Sequence, residues 1–168
     1  MNYSKIDFMS VVDGTGCRVS LFVSGCRNHC PECFNPETWN FDYGQVFTEI
    51  EENEIIEACK KPYISGLTVL GGEPWEEENQ KALLPFIEKF KKECPDKNIW
   101  MFTGYVWDKD LIPGGKKYVE GVTDKILDFV DVLVDGPFIK ELKDLSLKFR
   151  GSKNQRLLTK EERKKKNK

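Results

Sequence analysis

Nine residues carry the densest chemistry in the chain: Gly25-Cys26-Arg27-Asn28-His29-Cys30-Pro31-Glu32-Cys33. Cys26, Cys30 and Cys33 are spaced C-x3-C-x2-C. A thiolate run this tight, in a chain without a secretion signal, points to metal rather than to disulfides. The count narrows the metal. Structural zinc takes four closed ligands, usually as two separated pairs. A [4Fe-4S] cluster on four cysteines is coordinatively full, whereas three cysteines leave one iron without a protein ligand. An open metal position marks a site that binds something, by the logic that separates catalytic from structural zinc. The motif therefore predicts a cluster that takes a substrate or cofactor at its fourth iron.

The rest of the chain must position this loop. With 168 residues, 39% hydrophobic, and a net charge of −2, the sequence fits one ordinary globular domain with a sizeable core. Its apolar runs, such as Val19 to Val23 and Val132 to Val134, are too short to span a membrane. No basic-then-apolar leader is seen, so the expected location is the cytoplasm, where thiols stay reduced. The domain is placed at 1–158. Residues 159–168 read as a basic, frayed tail, since Lys160 to Lys168 carry six basic and two acidic side chains. The acidic body speaks against nucleic acid as a partner.

Residues 1–16 read as a lead-in ending in the turn Asp13-Gly14-Thr15-Gly16. Cys17 to Ser24 reads as a buried strand that delivers the cysteine loop at its C-terminal end. Thr48-x-x-Glu51 is a capping-box pattern opening a helix through Cys59, stopped by Pro62. Gly66 to Leu70 is a second strand, running into Gly71-Gly72-Glu73-Pro74. A helix follows to about Glu93, with an apolar stripe of Leu83, Leu84, Ile87 and Phe90 and a bend or start expected at Pro85. Asn98 to Thr103 is a third strand. Thr123 to Phe129 is a short helix, Val130 to Val134 a fourth strand, and the remainder is less regular. Strands alternating with helices imply βαβ units and a parallel sheet. The four strands end at the cysteine loop, at Gly-Gly-Glu-Pro, at Thr103-Gly104-Tyr105 and at Asp135-Gly136-Pro137. All polar, turn-rich loops thus share the edge where such sheets bind ligands.

C-x3-C-x2-C after one strand and Gly-Gly-Glu-Pro after the next resemble the radical S-adenosylmethionine superfamily. Further segments are similar to its anaerobic ribonucleoside-triphosphate reductase activating branch: Val12 to Arg18, Phe22 to Cys26, Cys33 to Trp39, Thr103-Gly104-Tyr105, Asp131 to Phe138 and Arg150 to Arg156. The resemblance covers about residues 1–158. It implies an α/β fold, an open partial barrel of mostly parallel strands, shorter than a full six-unit barrel. It also implies that Cys26, Cys30 and Cys33 ligate three irons of a [4Fe-4S] cluster, with S-adenosylmethionine on the fourth. One electron then cleaves the sulfonium, and the 5′-deoxyadenosyl radical takes a hydrogen from a glycine of the partner reductase, leaving a glycyl radical. Reduced flavodoxin or a similar donor would supply the electron.

Cofactor contacts are expected at Glu32, Cys33 and Phe34 through their backbone against the adenine, and at Gly71, Gly72, Glu73 and Pro74. The glycines let backbone approach a ligand, and carbonyls with Glu73 can accept from its ammonium group. Where many relatives place an aromatic before the third cysteine, this chain has Glu32. Asp135 stays open between a turn residue and a lining of the cofactor edge. Cys17, Cys59 and Cys94 read as buried or incidental thiols, and His29 as loop surface. Trp39, Tyr105 and Arg156 are residue types favoured at protein contacts. Two other readings stand beside this one: an activase of another glycyl-radical enzyme of the formate-lyase type, or, outside enzymes, a zinc-binding or electron-carrying protein.

Overall fold

The computed structural model describes residues 1–31, 33 and 35–166. Its centre is a seven-stranded sheet that does not close on itself. The strands are β1 (Asn2–Ser10), β2 (Cys17–Val23), β3 (Gln45–Val46), β4 (Ile64–Gly71), β5 (Asn98–Phe102), β6 (Val132–Asp135) and β7 (Arg156–Thr159), in the order β3-β1-β2-β4-β5-β6-β7. The inner four, β2, β4, β5 and β6, are parallel, and β1, β3 and β7 are antiparallel additions at the two sides. The parallel centre is the one the βαβ pattern predicts. The lead-in expected at residues 1–16 is instead largely the strand β1, whose mixed polar sequence hides its pairing with β2.

Helices α1 (Glu49–Cys59), α2 (Glu77–Glu93), α3 (Trp107–Asp110), α4 (Thr123–Phe129) and α5 (Lys160–Lys166) connect or follow the strands. The capping box of α1 is present: Thr48 accepts at its hydroxyl from Ile50, and Glu51 reaches back to the Thr48 N–H at 2.7 Å. Pro85 lies inside α2 rather than at its start. The Pro85 ring is on the exposed face, so water can satisfy the backbone carbonyl one turn earlier. Residues 160–166, expected to fray, form α5. Arg163 there is only 5% exposed, and its guanidinium donates to the carbonyls of Leu127 and Val130.

The period-2 alternation of strands divides the side chains between two faces. Val19, Leu21, Val23, Leu67, Val69, Ile99, Met101 and Leu133 pack with Ile55, Ile56, Leu83, Phe86, Ile87 and Phe90 of α1 and α2 to make the core. Phe22, Leu70 and Phe102 point to the other face and line a cavity there. The segment 136–155 crosses that face, anchored by a bridge between Lys143 and Ser152 and by Phe149, whose ring meets Trp100 edge-on at 5.2 Å.

Candidate metal centre and cofactor cavity

One cavity of about 660 Å³ lies over the C-terminal ends of the parallel strands. All four strands deliver residues to it. Cys26, Asn28, Cys30 and Cys33 come after β2, Gly71, Gly72 and Glu73 from the end of β4, Thr103 and Gly104 after β5, and Gly136 and Phe138 after β6. The expected gathering of strand ends at one edge is therefore present. Trp39, Asn35, Thr38, Lys5, Gly151 and Gln155 complete the wall.

Backbone hydrogen bonds lock the cysteine loop to the Gly-Gly-Glu turn. Gly72 N–H donates to Val23 at 2.7 Å and Glu73 N–H to Gly25 at 2.8 Å. On the other side, Gly25 and Cys26 donate to the carbonyls of Thr38 and Trp39 at 2.7 and 3.2 Å. Three segments meet so closely that a Cβ on Gly72 would stand 2.8 Å from the Gly25 carbonyl oxygen and 3.0 Å from that of Thr38. Gly71 has φ +110°, a conformation side chains rarely adopt. His29 turns the loop between the first two cysteines with φ +46°, and its exposed ring stacks on Trp39 at 4.2 Å, at the loop surface where sequence had placed it.

The thiols fit a metal cluster chemically. Burial pushes the Cys26 thiol up to about 12, with Glu73 and Glu76 adding to it, and burial raises Cys30 as well. Bound metal supplies the positive charge that such sulfurs need to release their protons. Among the described residues, no group of three or more His, Cys, Asp or Glu closes on a single metal ion. Three cysteines lining one wall suit a cluster that spreads its ligands over separate irons. Among the described residues the indole N–H of Trp39 is buried without a partner, and Trp39 lines the cavity. A buried donor of this kind is usually satisfied, which leaves it available to a bound group.

Glu73 is 1% exposed, and its carboxylate is already supplied with donors. Oε1 accepts from Gly104 N–H at 2.7 Å and Asn28 Nδ2 at 3.3 Å, Oε2 from Thr103 Oγ1 at 2.9 Å and Trp75 N–H at 3.0 Å. Burial pushes its carboxyl up to about 7, against the hydrogen bonds from Gly104, Trp75 and Thr103 that lower it. Glu73 thus ties β4, β5 and the cysteine loop together, while the backbone of Gly71 and Gly72 supplies the cavity wall. Pro74 is buried behind that wall and is not part of it.

Glu32 and Phe34 lie outside the described residues. Asp135 does not line the cavity: its carboxylate turns to Arg156 and to the Trp107 N–H at 2.8 Å, and the neighbouring Gly136 reaches the wall instead. Of the three side chains singled out for protein contact, Trp39 faces the cavity, Tyr105 is buried with its hydroxyl on Glu76, and Arg156 is tied to Asp135 and Asp108. Asn28, Lys5 and Gln155 also line the cavity, without a side-chain signal of their own in the sequence. Asn28 sat within the motif between two cysteines, and Gln155 within the Arg150 to Arg156 segment. Lys5 had no signal because β1 itself was unmarked. Cys17, Cys59 and Cys94 are remote from the cavity wall, and Cys59 and Cys94 are buried in the core.

An open α/β sheet whose parallel strands bring a three-cysteine loop and a Gly-Gly-Glu turn to one cavity defines a class, that of proteins built round one iron–sulfur centre. The family model described as 4Fe-4S single cluster domain matches residues 12–158. Relatives from Haemophilus influenzae and Escherichia coli K12 are 41% and 38% identical to this chain over 157 residues, covering 92% of it and 96% of each relative. One from Enterobacteria phage T4 is 40% identical, covering 94% of this chain and 93% of its own. All three carry the name anaerobic ribonucleoside-triphosphate reductase-activating protein. The chain belongs to that family.

Proposed function

We propose that this protein is the activating enzyme of an anaerobic ribonucleoside-triphosphate reductase, a radical S-adenosylmethionine oxidoreductase working from a [4Fe-4S] cluster on Cys26, Cys30 and Cys33. One observation carries the reading: the three cysteines and the Gly71-Gly72-Glu73 turn converge on the same cavity wall, within a chain of this family. When bound, cluster and S-adenosylmethionine supply reductive cleavage of the sulfonium and, with it, removal of a hydrogen from a glycine of the reductase.

The chain's own residues have three tasks. Cys26, Cys30 and Cys33 would hold the cluster, which would leave one iron open to the cofactor. Gly71 and Gly72 bring backbone against the cofactor, and Glu73 holds that turn in place through its four donors. We assign the adenine contact to the backbone of Glu32, Cys33 and Phe34, the segment around the third cysteine, as the family resemblance implies. Phe22, Leu70, Phe102 and Phe138 give the cavity apolar walls, which keep water away from a reactive intermediate. A cavity of about 660 Å³ falls within the range of cofactor sites.

The sheet would then curve as an open partial barrel whose uncovered side admits a protein loop. The electron would come from reduced flavodoxin or a similar donor, in the cytoplasm. No helix among the described residues is long and apolar enough to cross a membrane. The test is anaerobic reconstitution with iron and sulfide, reduction by dithionite, and addition of S-adenosylmethionine. About four irons per chain and formation of 5′-deoxyadenosine with methionine are expected. A protein that binds one zinc and yields no 5′-deoxyadenosine would overturn the reading.

A further inference from the structure

Glu76 is a fully buried carboxylate that takes no part in the cavity wall. It stands at the N-cap of α2, yet its side chain does not cap that helix. All of its acceptor capacity goes elsewhere. Oε1 accepts from the Arg27 N–H at 3.0 Å and from the Tyr105 hydroxyl at 2.9 Å. Oε2 accepts from Arg27 Nη1 at 2.7 Å and from Lys117 Nζ at 2.8 Å. A buried carboxylate is costly unless paired and hydrogen-bonded, and this one is met by two cations and two neutral donors.

Arg27 directly follows Cys26. Glu76 holds it twice, by main chain and by guanidinium, so both the path of the loop and its side chain are fixed. The guanidinium continues to Glu78 at 2.6 Å and lies 4.4 Å from the Phe41 ring centre. Phe41 in turn covers Gly25, where no side chain would fit. The residues on both sides of Cys26 are thereby pinned to the start of α2. Within this group two carboxylates, Glu76 and Glu78, balance two cations, Arg27 and Lys117.

We propose that Glu76, acting through Arg27, is a positioning residue that fixes the cysteine loop around Cys26 and sets the charge beside the cluster held there. The proposal rests on the [4Fe-4S] reading given above. The hydrogen bond to the Arg27 N–H selects one backbone conformation next to the first ligand, as partners behind a metal's own ligands commonly do. The charge has a separate effect. A negative group near an iron–sulfur centre disfavours the added electron, and a positive group favours it. Glu76 and Arg27 therefore pull the reduction potential in opposite directions, although both hold the loop.

The experiment compares reconstituted wild type with Glu76→Gln, Arg27→Gln, the double variant, and Glu77→Gln as a control on the same helix. Iron loss to a chelator is timed, and the reduction potential is read by paramagnetic resonance during a redox titration. Both single variants are expected to lose iron about tenfold faster than wild type. Glu76→Gln shifts the potential upward and Arg27→Gln shifts it downward. The double variant loses iron no faster than the worse single one, because the two act as one unit. Glu77→Gln behaves as wild type. Arg27 is half-exposed, so Arg27→Gln carries the test alone if Glu76→Gln fails to fold as judged by circular dichroism. Wild-type iron retention and potential in both single variants would overturn the role of Glu76, as would effects that simply multiply in the double variant. A wild-type protein that takes up no cluster would overturn the cluster reading and this proposal with it.

Discussion

Asp135 and Arg156 close on each other across β6 and β7, with Nε to Oδ1 at 2.9 Å and Nη2 to Oδ2 at 2.6 Å. The pair has the parallel two-pronged geometry that favours arginine over lysine. Asp135 is 1% exposed and gains a third donor from the Trp107 N–H. The carboxylate at the end of the fourth parallel strand therefore joins the antiparallel edge strand to the sheet.

Loss of this pair should be felt in stability. Arg156→Gln leaves Asp135 buried with one remaining donor and is expected to lower the unfolding free energy by about 2 kcal/mol. Denaturant titration of the cluster-free protein measures it. S-adenosylmethionine affinity in the folded fraction should not change. A variant of unaltered stability that binds the cofactor poorly would return Asp135 and Arg156 to the cofactor site.

The six cysteines should fall into two groups. Cys26→Ala, Cys30→Ala and Cys33→Ala are each expected to lose the iron and the visible absorption of the reconstituted protein, since two remaining thiolates cannot hold the cube. Cys17→Ala, Cys59→Ala and Cys94→Ala should retain both. Iron analysis after gel filtration decides. Iron lost in Cys59→Ala and kept in Cys30→Ala would remove the loop from the metal site.

Gly72→Ala should disturb the cluster as well as the cofactor. Its Cβ would press on the carbonyl oxygens of Gly25 and Thr38, the two segments that flank Cys26. Backbone atoms cannot swing aside as a side-chain end can, so a cost of about 1–3 kcal/mol is expected. Lower iron content together with weaker S-adenosylmethionine binding is the expected result. Full iron with weakened binding alone would mean that the turn touches the cofactor without supporting the cysteine loop.

These roles differ in how far sequence exposes them. The strand ends were legible because short β-branched and aromatic runs led straight into glycine-rich turns, so Cys26, Gly72 and Gly104 fell on one edge. The strand β1 was not, because Asn2–Ser10 mixes Lys5 and Asp7 with apolar residues and gains its order from pairing with β2. The charge run at the end of the chain carries no sign of the helix α5. Arg163 is basic like its neighbours, and only its reach to two carbonyls at the end of α4 sets it apart. The jobs of Glu73 and Asp135 depend on which donors come to them. Gly104, Thr103 and Asn28 for one, and Arg156 for the other, are distant in sequence and are brought there by the sheet.

Cys59 gives a pH dependence away from the metal site. Burial, and then the neighbouring Cys94, push its thiol from 9.0 up to about 12. The folded protein thus holds this proton more tightly than the unfolded chain. Its contribution to stability is full below about pH 9 and is lost as pH rises towards 12. In urea unfolding of the cluster-free protein, Cys59→Ala should lose less stability than wild type between about pH 9 and 11, in addition to a constant cost for the missing sulfur. Parallel pH curves for the two proteins would contradict this.

The measurement that bears most directly on the proposed activity is paramagnetic resonance of the reductase itself. The reconstituted, reduced protein is incubated without oxygen with S-adenosylmethionine and the anaerobic ribonucleoside-triphosphate reductase of the same organism. A glycyl doublet on the reductase, absent when S-adenosylmethionine is left out or when Cys30→Ala replaces the wild type, is the predicted result. No doublet on the reductase, with one formed instead on a formate-lyase-type partner under the same conditions, would contradict the assigned substrate.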